Sequence, residues 1–564
     1  MIKMKNNHPN NKIKTRADKK RVALITIYNP GAAGMRYVAG SIKAAGHEAS
    51  LISFKELRST SIPSDEVSRH KELKKIRDVL YIVSPFPGKV TYLPYPTLIT
   101  DKEKQLLVEL LRDQLKVDLV GFSFFSVTHG VVKNLTEDIH EKMPGVPVIW
   151  GGLHCIVAPE ECIGSADIVC TGEGEESITE LLERWDEYRE KGALNVPGLW
   201  FRKPDGEIVR NPDRPLIQDM DSIPFPVFAE NEYLIDDNKI SDKMNKPGPF
   251  LNAHVYTFTE RGCPYKCTYC IHSILKKRGY KKFRRRSVDN VLEEVRDRVE
   301  RLGMKHLIFH DEILKKKKKW ISEFAEKFRT RFHEPHGITF TGYVHPMTTD
   351  AEMLDMMVKA GLSRVGMGIQ SGSERINKEI FERVHCPEES VKMAEMLSQY
   401  DFEIIQYDLL VNNPFEEEED RRQSFELLMR FPPPFSPGLF GIAIYKHSKL
   451  GEMKPPREGY DEKACLFWNM LYHLTGMKTI SRENIRRISE NPYYREHPRE
   501  LEQLVVDMYN AESRLLEKER EMENIKTRLA CTEEWIKSHE SESYQLKSAV
   551  KKKIKRLLYP IVTK

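Results

Sequence analysis

Short apolar runs bounded by turns, with helix-length stretches between them, recur along most of this chain. Val22–Ile27 reads as a buried strand, Asn29–Gly34 as a glycine turn, Arg36–Ala45 as a helix and Ala49–Phe54 as a second strand, which together predict a βαβ unit. After a connection containing Pro85, Pro87, Pro94 and Pro96, the runs Val117–Phe125, Pro147–Trp150 and Asp167–Cys170 predict further buried parallel strands, and Glu175–Lys191 a closing helix. Residues 22–192 are therefore expected to be a doubly wound α/β domain. Residues 193–253, with six prolines from Pro197 to Pro226, read as a linker without chemistry of its own. Over residues 254–450 strands are expected at His254–Phe258, Lys305–Phe309, Ile338–Tyr343, Arg364–Ile369, Glu403–Val411 and Leu439–Tyr445, with helices between most of them, so a partial (β/α) TIM-type barrel is predicted. Residues 451–500 read as a helical extension. Within 501–545, Leu501, Met508, Leu515, Met522, Leu529 and Ile536 fall seven apart but their partner positions are only half apolar, predicting a weak coiled coil or a long helix docked on one face. Residues 546–564 form a basic amphipathic tail suited to an anionic membrane surface.

Composition narrows the class. With 564 residues, about three or four domains are expected. No apolar run approaches the length of a membrane span and the N-terminus lacks the apolar core of a signal peptide, so a cytoplasmic protein is expected. Nine cysteines in this length make no disulfide framework. The net charge of +5 is small, but the charges cluster: residues 1–21 carry eight Lys/Arg against one Asp and predict a disordered tail.

Cys263, Cys267 and Cys270 form a C-x3-C-x2-C triplet directly after a predicted strand. Three thiolates in one loop suit a cubane iron–sulfur cluster with one open iron, whereas a structural zinc site closes with four ligands and would recruit His272. With Tyr269 before the last cysteine, the triplet resembles the signature of radical S-adenosylmethionine enzymes. That resemblance implies a 4Fe-4S cluster on the three cysteines, S-adenosyl-L-methionine chelated at the open iron, Tyr269 beside its adenine, and a reductant such as flavodoxin or ferredoxin.

At the C-terminal strand ends of the first domain, where such sheets bind ligands, stand Gly31, Gly34, Ser123, Ser126, Gly151, Gly152, Gly172 and Glu173. A nicotinamide domain would carry G-x-G-x-x-G and an acidic residue after the second strand; the first turn here is G-A-A-G. The set resembles the Rossmann-like cobalamin-binding domain of cobalamin-dependent radical S-adenosylmethionine enzymes, which implies cobalamin as a further cofactor. The motif D-x-H-x-x-G is absent, so the resemblance implies cobalamin with its own base displaced and no histidine beneath the cobalt; His129 and His154 read as structural.

The same resemblance assigns Asp311 and Glu312 to the methionyl ammonium and the loop Gly366–Glu374 to ribose and methionine, with Gln370, Ser371 and Glu374 as contacts. Asn412–Glu416 stands where the family has Gly-x-Pro-Gly-Glu, without its glycines. The implied reaction is reductive cleavage of S-adenosylmethionine followed by methylation of an unactivated carbon or a phosphorus centre. A cyclase or hydroxylase without methyl transfer, and a non-catalytic sensor signalling through the C-terminal helix, are the competing expectations. Between Lys276 and Arg286 eight of eleven residues are basic, and Lys315–Lys319 is a second run. These predict a positive mouth that steers an anionic small-molecule or lipid-linked substrate. Few aromatics interleave the run, so nucleic acid is not an expected partner.

Overall fold

The computed structural model describes residues 19–59, 84–86, 89–91, 94–246, 255–281, 283–312, 318–384, 386–456 and 459–538. Most of the predicted N-terminal tail and all of the basic C-terminal tail lie outside these residues. Among the described residues no helix is long and apolar enough to cross a membrane.

Strand β1 (Arg21–Ile27) is buried on both faces from Val22 to Ile27, as a central parallel strand between helix layers must be. It pairs in parallel with β2 (Glu48–Phe54) and β3 (Leu119–Ser123), and β4 (Val148–Gly151) and β5 (Ile168–Cys170) extend the sheet in the same sense. The core order β5-β4-β3-β1-β2 is that of a doubly wound fold with its switch point between β1 and β3. Helix α1 (Ala33–Ala44) joins β1 to β2 and buries Met35, Ala39 and Ile42.

The linker departs from expectation. Residues 193–253 supply β6 (Leu199–Arg202) and β7 (Ile208–Arg210) at one edge, and β8 (Glu232–Asp236) and β9 (Lys239–Ser241) at the other, completing nine strands. Pro197 lies just before β6 and the other five prolines fall in the crossings between β6 and β8, where a missing N–H costs no ladder bond. Arg36 of α1 is locked to this segment: its Nη1 and Nη2 each donate at 2.8 Å to Glu232, and its guanidinium lies 4.3 Å from the Phe228 ring centre.

The second sheet contains β10 (Tyr256–Thr257), β11 (His306–Phe309), β12 (Thr339–Val344), β13 (Leu362–Gln370), β14 (Ile404–Val411) and β15 (Ser436–Gly441), all parallel and in chain order. This is the predicted partial barrel, with its last strand beginning three residues before the expected start. Side-chain parity sorts inside from outside. On β14, Ile405, Tyr407, Leu409 and Val411 are buried in the core shared with helices such as α2 (Val288–Leu302), so Gln406 and Asp408 face the concave side.

The C-terminal extension closes this core. Helix α3 (Glu462–Gly476) is buried along most of its length, and α4 (Pro498–Ser538) packs on it through Leu501, Val505, Val506 and Tyr509. Farther along α4, Leu515 and Met522 are exposed. The heptad stripe thus begins as a docking face and continues as an open one.

Gly40 shows how closely α1 meets the linker. A Cβ there would collide with the Phe225 carbonyl oxygen, which is backbone and cannot swing away. Replacing a mid-helix glycine with alanine ordinarily stabilises by about 1 kcal/mol. Here overpacking of about 1–3 kcal/mol opposes that gain. Gly40→Ala is therefore expected to lower the urea midpoint of unfolding; a raised midpoint would refute this contact.

Candidate active site

The cysteine loop leaves β10 through a two-residue ribbon in which Glu260–Arg261 pairs antiparallel with Arg284–Arg285. Its middle is pinned from two sides: Thr268 N–H donates to the Phe381 carbonyl at 3.0 Å, and Leu450 N–H donates to the Thr268 carbonyl at 3.2 Å. Tyr269 sets its ring edge-on to Phe381 at 4.7 Å and accepts a bond from Arg383 Nη1 at 2.7 Å. Tyr265 stacks on His345 at 4.6 Å. Cys263, Cys267 and Cys270 are all free thiols in this loop. Burial pushes Cys263 up to about 11, helped by the Glu312 charge and by Cys267, and pushes Cys270 up further for the same reasons.

The donor set fits an iron–sulfur cluster better than a single zinc ion. Among the described residues no three His, Cys, Asp or Glu side chains converge where one ion would sit. A cubane, in contrast, takes each thiolate on a different iron and tolerates a wider spread. His272, the fourth ligand a zinc site would need, instead bonds Glu312 through Nε2 at 2.9 Å from Oε1.

The first domain opens a cavity of about 290 Å³ at the C-terminal ends of its strands. Its depth is apolar, walled by Leu24, Ile149 and Ile178, and Gly34, Gly151, Gly152 and Gly172 line it with Ser123 and Glu173. Gly152 has φ of +91°, and a Cβ there would lie 2.7 Å from the Phe124 nitrogen, so only glycine makes this turn without strain. A Cβ on Gly34 would meet nothing within 4 Å, leaving the entrance clear for a bulky group. An apolar slot with a backbone rim suits an aromatic tail and the macrocycle that carries it. Two predicted residues stand outside this wall: Gly31 is buried in the turn, and the Ser126 hydroxyl lies 3.0 Å from His154 Nδ1. His129 and His154 pack on each other at 4.5 Å and do not line the cavity.

Residues 258–428 match the Radical SAM superfamily, and residues 89–182 match the B12 binding domain. The chain thus carries a radical S-adenosylmethionine domain and, before it, a B12 binding domain. It is 28% identical over 275 residues to an uncharacterized methyltransferase, PH0819, of Pyrococcus horikoshii, covering 48% of this chain and 53% of that one. It is 27% identical over 271 residues to an anaerobic magnesium-protoporphyrin IX monomethyl ester cyclase of Synechocystis, covering 46% and 49%. The chain thus spans about half the length of these curated relatives. In fold it is similar to the radical S-adenosylmethionine methyltransferase TsrM from Kitasatospora setae, with a TM-score of 0.52, 16% identity, and coverage of 77% of this chain and 75% of that one.

The radical and cobalamin domains are held together by Arg261 and by Arg284, the latter in the basic run that the sequence assigned to a substrate. Arg284 donates to both Glu173 oxygens, at 2.8 and 2.7 Å, and Arg261 reaches Glu173 at 2.8 Å and also Glu175. Arg285 pairs with Glu260, Arg286 with Glu294, and Arg278 with Asp213. The arginines of the basic run therefore grip the protein's own carboxylates, while Lys281 is exposed and Lys282 lies outside the described residues. Of the second run, Lys315–Lys317 lie outside the described residues, and Lys318 pairs with Glu352. Glu173 is likewise a clamp residue at the cavity wall; desolvation works to raise its carboxyl, but Arg284 and Arg261 outweigh it and hold it below the usual range.

Several expected S-adenosylmethionine contacts are engaged elsewhere. Asp311 accepts from Thr259 N at 2.7 Å, Thr259 Oγ1 at 2.5 Å and Glu260 N at 3.2 Å, so it anchors the ribbon that starts the cysteine loop. Glu374 is exposed and pairs with Lys378 one turn on, away from the lumen. Ser371 is fully buried beside Ser424 and Glu416. Gln370 ends β13 at a register shift with φ of +70°, its amide folded over Gly368. Asn412 takes φ of +57°, so it makes the left-handed turn that the missing glycine was expected to make. Sequence reasoning did not find Arg383, whose Nη2 also donates to the Gly368 carbonyl at 2.8 Å. Nothing local distinguishes this arginine from a surface one.

Removing Glu173 leaves the buried Arg284 with only the Ile217 carbonyl and no carboxylate, and such a loss costs about 3–5 kcal/mol. Glu173→Ala is expected to lower the thermal midpoint by several degrees while Glu374→Ala, on the open surface, leaves it within error. Because the Glu173 carboxyl is depressed, its contribution is full above its ordinary value of 4.5 and is lost as the pH falls below that. With no histidine among the described residues of the cavity wall, cob(II)alamin bound to the protein is expected to give an electron paramagnetic resonance spectrum without nitrogen hyperfine splitting from an axial imidazole. Splitting that disappeared in His154→Ala would refute that assignment.

Proposed function

We propose that this enzyme transfers a methyl group to a small-molecule substrate held in the barrel. The observation that carries this reading is a shared wall: Phe258 and Arg261, five and two residues before Cys263, also line the cavity of the cobalamin domain. A group in that cavity is therefore next to the cysteine loop. The fold likeness to TsrM and the methyltransferase named among the curated relatives support the same reading.

When bound, the cluster with S-adenosylmethionine supplies one-electron chemistry at an unactivated position, and cobalamin supplies a methyl group. The chain's own residues hold and orient. Cys263, Cys267 and Cys270 supply the thiolates for the cluster, while Gly34, Gly151 and Gly152 let a corrinoid approach the backbone. Thr268 and the Tyr269–Arg383 pair fix the loop against the barrel. Arg261 and Arg284 set the distance between the two sites through Glu173. Rigid placement of this kind lets reacting groups meet without a further loss of freedom.

The test is anaerobic turnover of protein carrying cluster and cobalamin, with reductant, candidate substrates and methyl-deuterated S-adenosylmethionine. Methyl transfer predicts both 5′-deoxyadenosine and S-adenosylhomocysteine, with deuterium in the product. The cyclase reading, raised by the Synechocystis relative, predicts 5′-deoxyadenosine without label transfer. Cys267→Ala is expected to lose both products and the iron–sulfur absorption band.

A further inference from the structure

The lumen of the barrel holds a carboxylate that the reading above does not use. Asp408 faces inward on β14, beside Gln406, whose Nε2 donates to Asp408 Oδ1 at 2.6 Å. Among the described residues Gln406 is the hydrogen-bond partner of Asp408, through Oδ1, and no cation pairs with the carboxyl. The neighbouring strand makes room for this pair: a Cβ on Gly438 would collide with Asp408 Oδ1 and lie 2.9 Å from Gln406 Nε2.

Farther along the same sheet, two strands away, the wall is aromatic. Tyr343 lies over Gly366, where a Cβ would stand 2.5 Å from its ring. His310 meets the Tyr343 ring at 6.0 Å and the Tyr256 ring at 5.1 Å. The floor is neutral, because His306 is bonded to Thr339 and Thr341 at 2.7 Å each and burial pulls its imidazole down to about 4. Loss of water around Asp408 pushes its carboxyl up to about 7, against the bond from Gln406.

A carboxyl held by one neutral amide, with an oxygen left over and no protein cation, is an acceptor awaiting a donor. Resting on the reading of the barrel as the substrate chamber, we propose that Asp408, oriented by Gln406, anchors the substrate through an ammonium or N–H group on a flat, ring-bearing molecule. The same arrangement disfavours phosphate and carboxylate at that position, since the ionised Asp408 repels them and no cation pairs with it among the described residues to offset that. This is the alternative to the anionic substrate that the basic run predicted.

The test compares phenethylamine with 3-phenylpropionate, which share a ring and differ in charge, by calorimetry on protein loaded with cluster, cobalamin and S-adenosylmethionine. The amine is expected to bind at least about tenfold more tightly than the acid. The near-isosteric Asp408→Asn should remove about tenfold of the amine's affinity without weakening the acid. Should Asp408→Asn fail to fold, the wild-type comparison stands by itself, and Gly438→Ala provides a second variant that displaces Asp408 with its charge kept. Equal binding, tighter acid binding, binding of neither probe, or an unchanged amine affinity in a folded Asp408→Asn would overturn the proposal. Cluster content and S-adenosylmethionine binding are read on the same samples. If those are absent, the functional reading falls and the inference with it; if they are present without an amine preference, the inference alone falls.

Discussion

Arg261 and Arg284 of the barrel domain close on one carboxylate of the first domain, Glu173, with Glu175 as a second partner, and the relative position of both cofactor sites depends on this cluster. Burying these charges is expensive, so the arrangement is tolerable only when each guanidinium finds its carboxylate. That requirement selects one docking geometry among the many that apolar contact alone would accept. The selected geometry places the C-terminal strand ends of the doubly wound sheet against the loop that carries the three cysteines. Tyr37 of α1 adds a second point of registration, its hydroxyl 3.2 Å from the buried Glu294 of α2, which also holds Arg286 and Arg298.

Behind this interface, close approach is used wherever the chain must leave space. Gly40 lets α1 touch the linker, Gly366 accommodates the Tyr343 ring, and Gly438 accommodates the Gln406–Asp408 pair. Buried polar groups are then set by the bonds that remain open to them. Glu416 illustrates this: burial pushes its carboxyl up to about 8, against the opposing Arg421 charge, and its neighbour is the Ser371 hydroxyl. Such groups hold the loops at the barrel mouth in one arrangement, which a site that positions three cofactors requires.

The strands of both sheets were legible because parallel strands buried on one or both faces leave apolar runs of characteristic length, as Val22–Ile27 and Ile404–Val411 do. The linker was misread because its prolines were taken to exclude pairing, although they occupy only the crossings around Leu199–Arg202 and Glu232–Asp236. The cysteine triplet was legible as three ligands in one loop. Asp311, Ser371 and Glu374 carried the right chemistry for their predicted contacts, yet Asp311 and Ser371 are bonded to the protein's own groups and Glu374 faces solvent. The arginines of the basic run were read as open charge, and the structure pairs Arg278, Arg284, Arg285 and Arg286 with carboxylates.

What the sequence determined by itself was local: strand periodicity, the C-x3-C-x2-C loop, and the glycine turns at Gly34 and Gly151–Gly152, each a property of residues within a few positions of one another. Tertiary structure alone decided which charges are consumed and which remain. Arg284 lies 111 positions from Glu173, and Arg383 lies 114 from Tyr269. Only the packed chain brings such partners within hydrogen-bonding distance, where the cost of desolvating an ion makes pairing obligatory. That is why the arginines that looked available are engaged, and why Asp408, inconspicuous in its strand, is left facing the lumen without a counter-ion among the described residues.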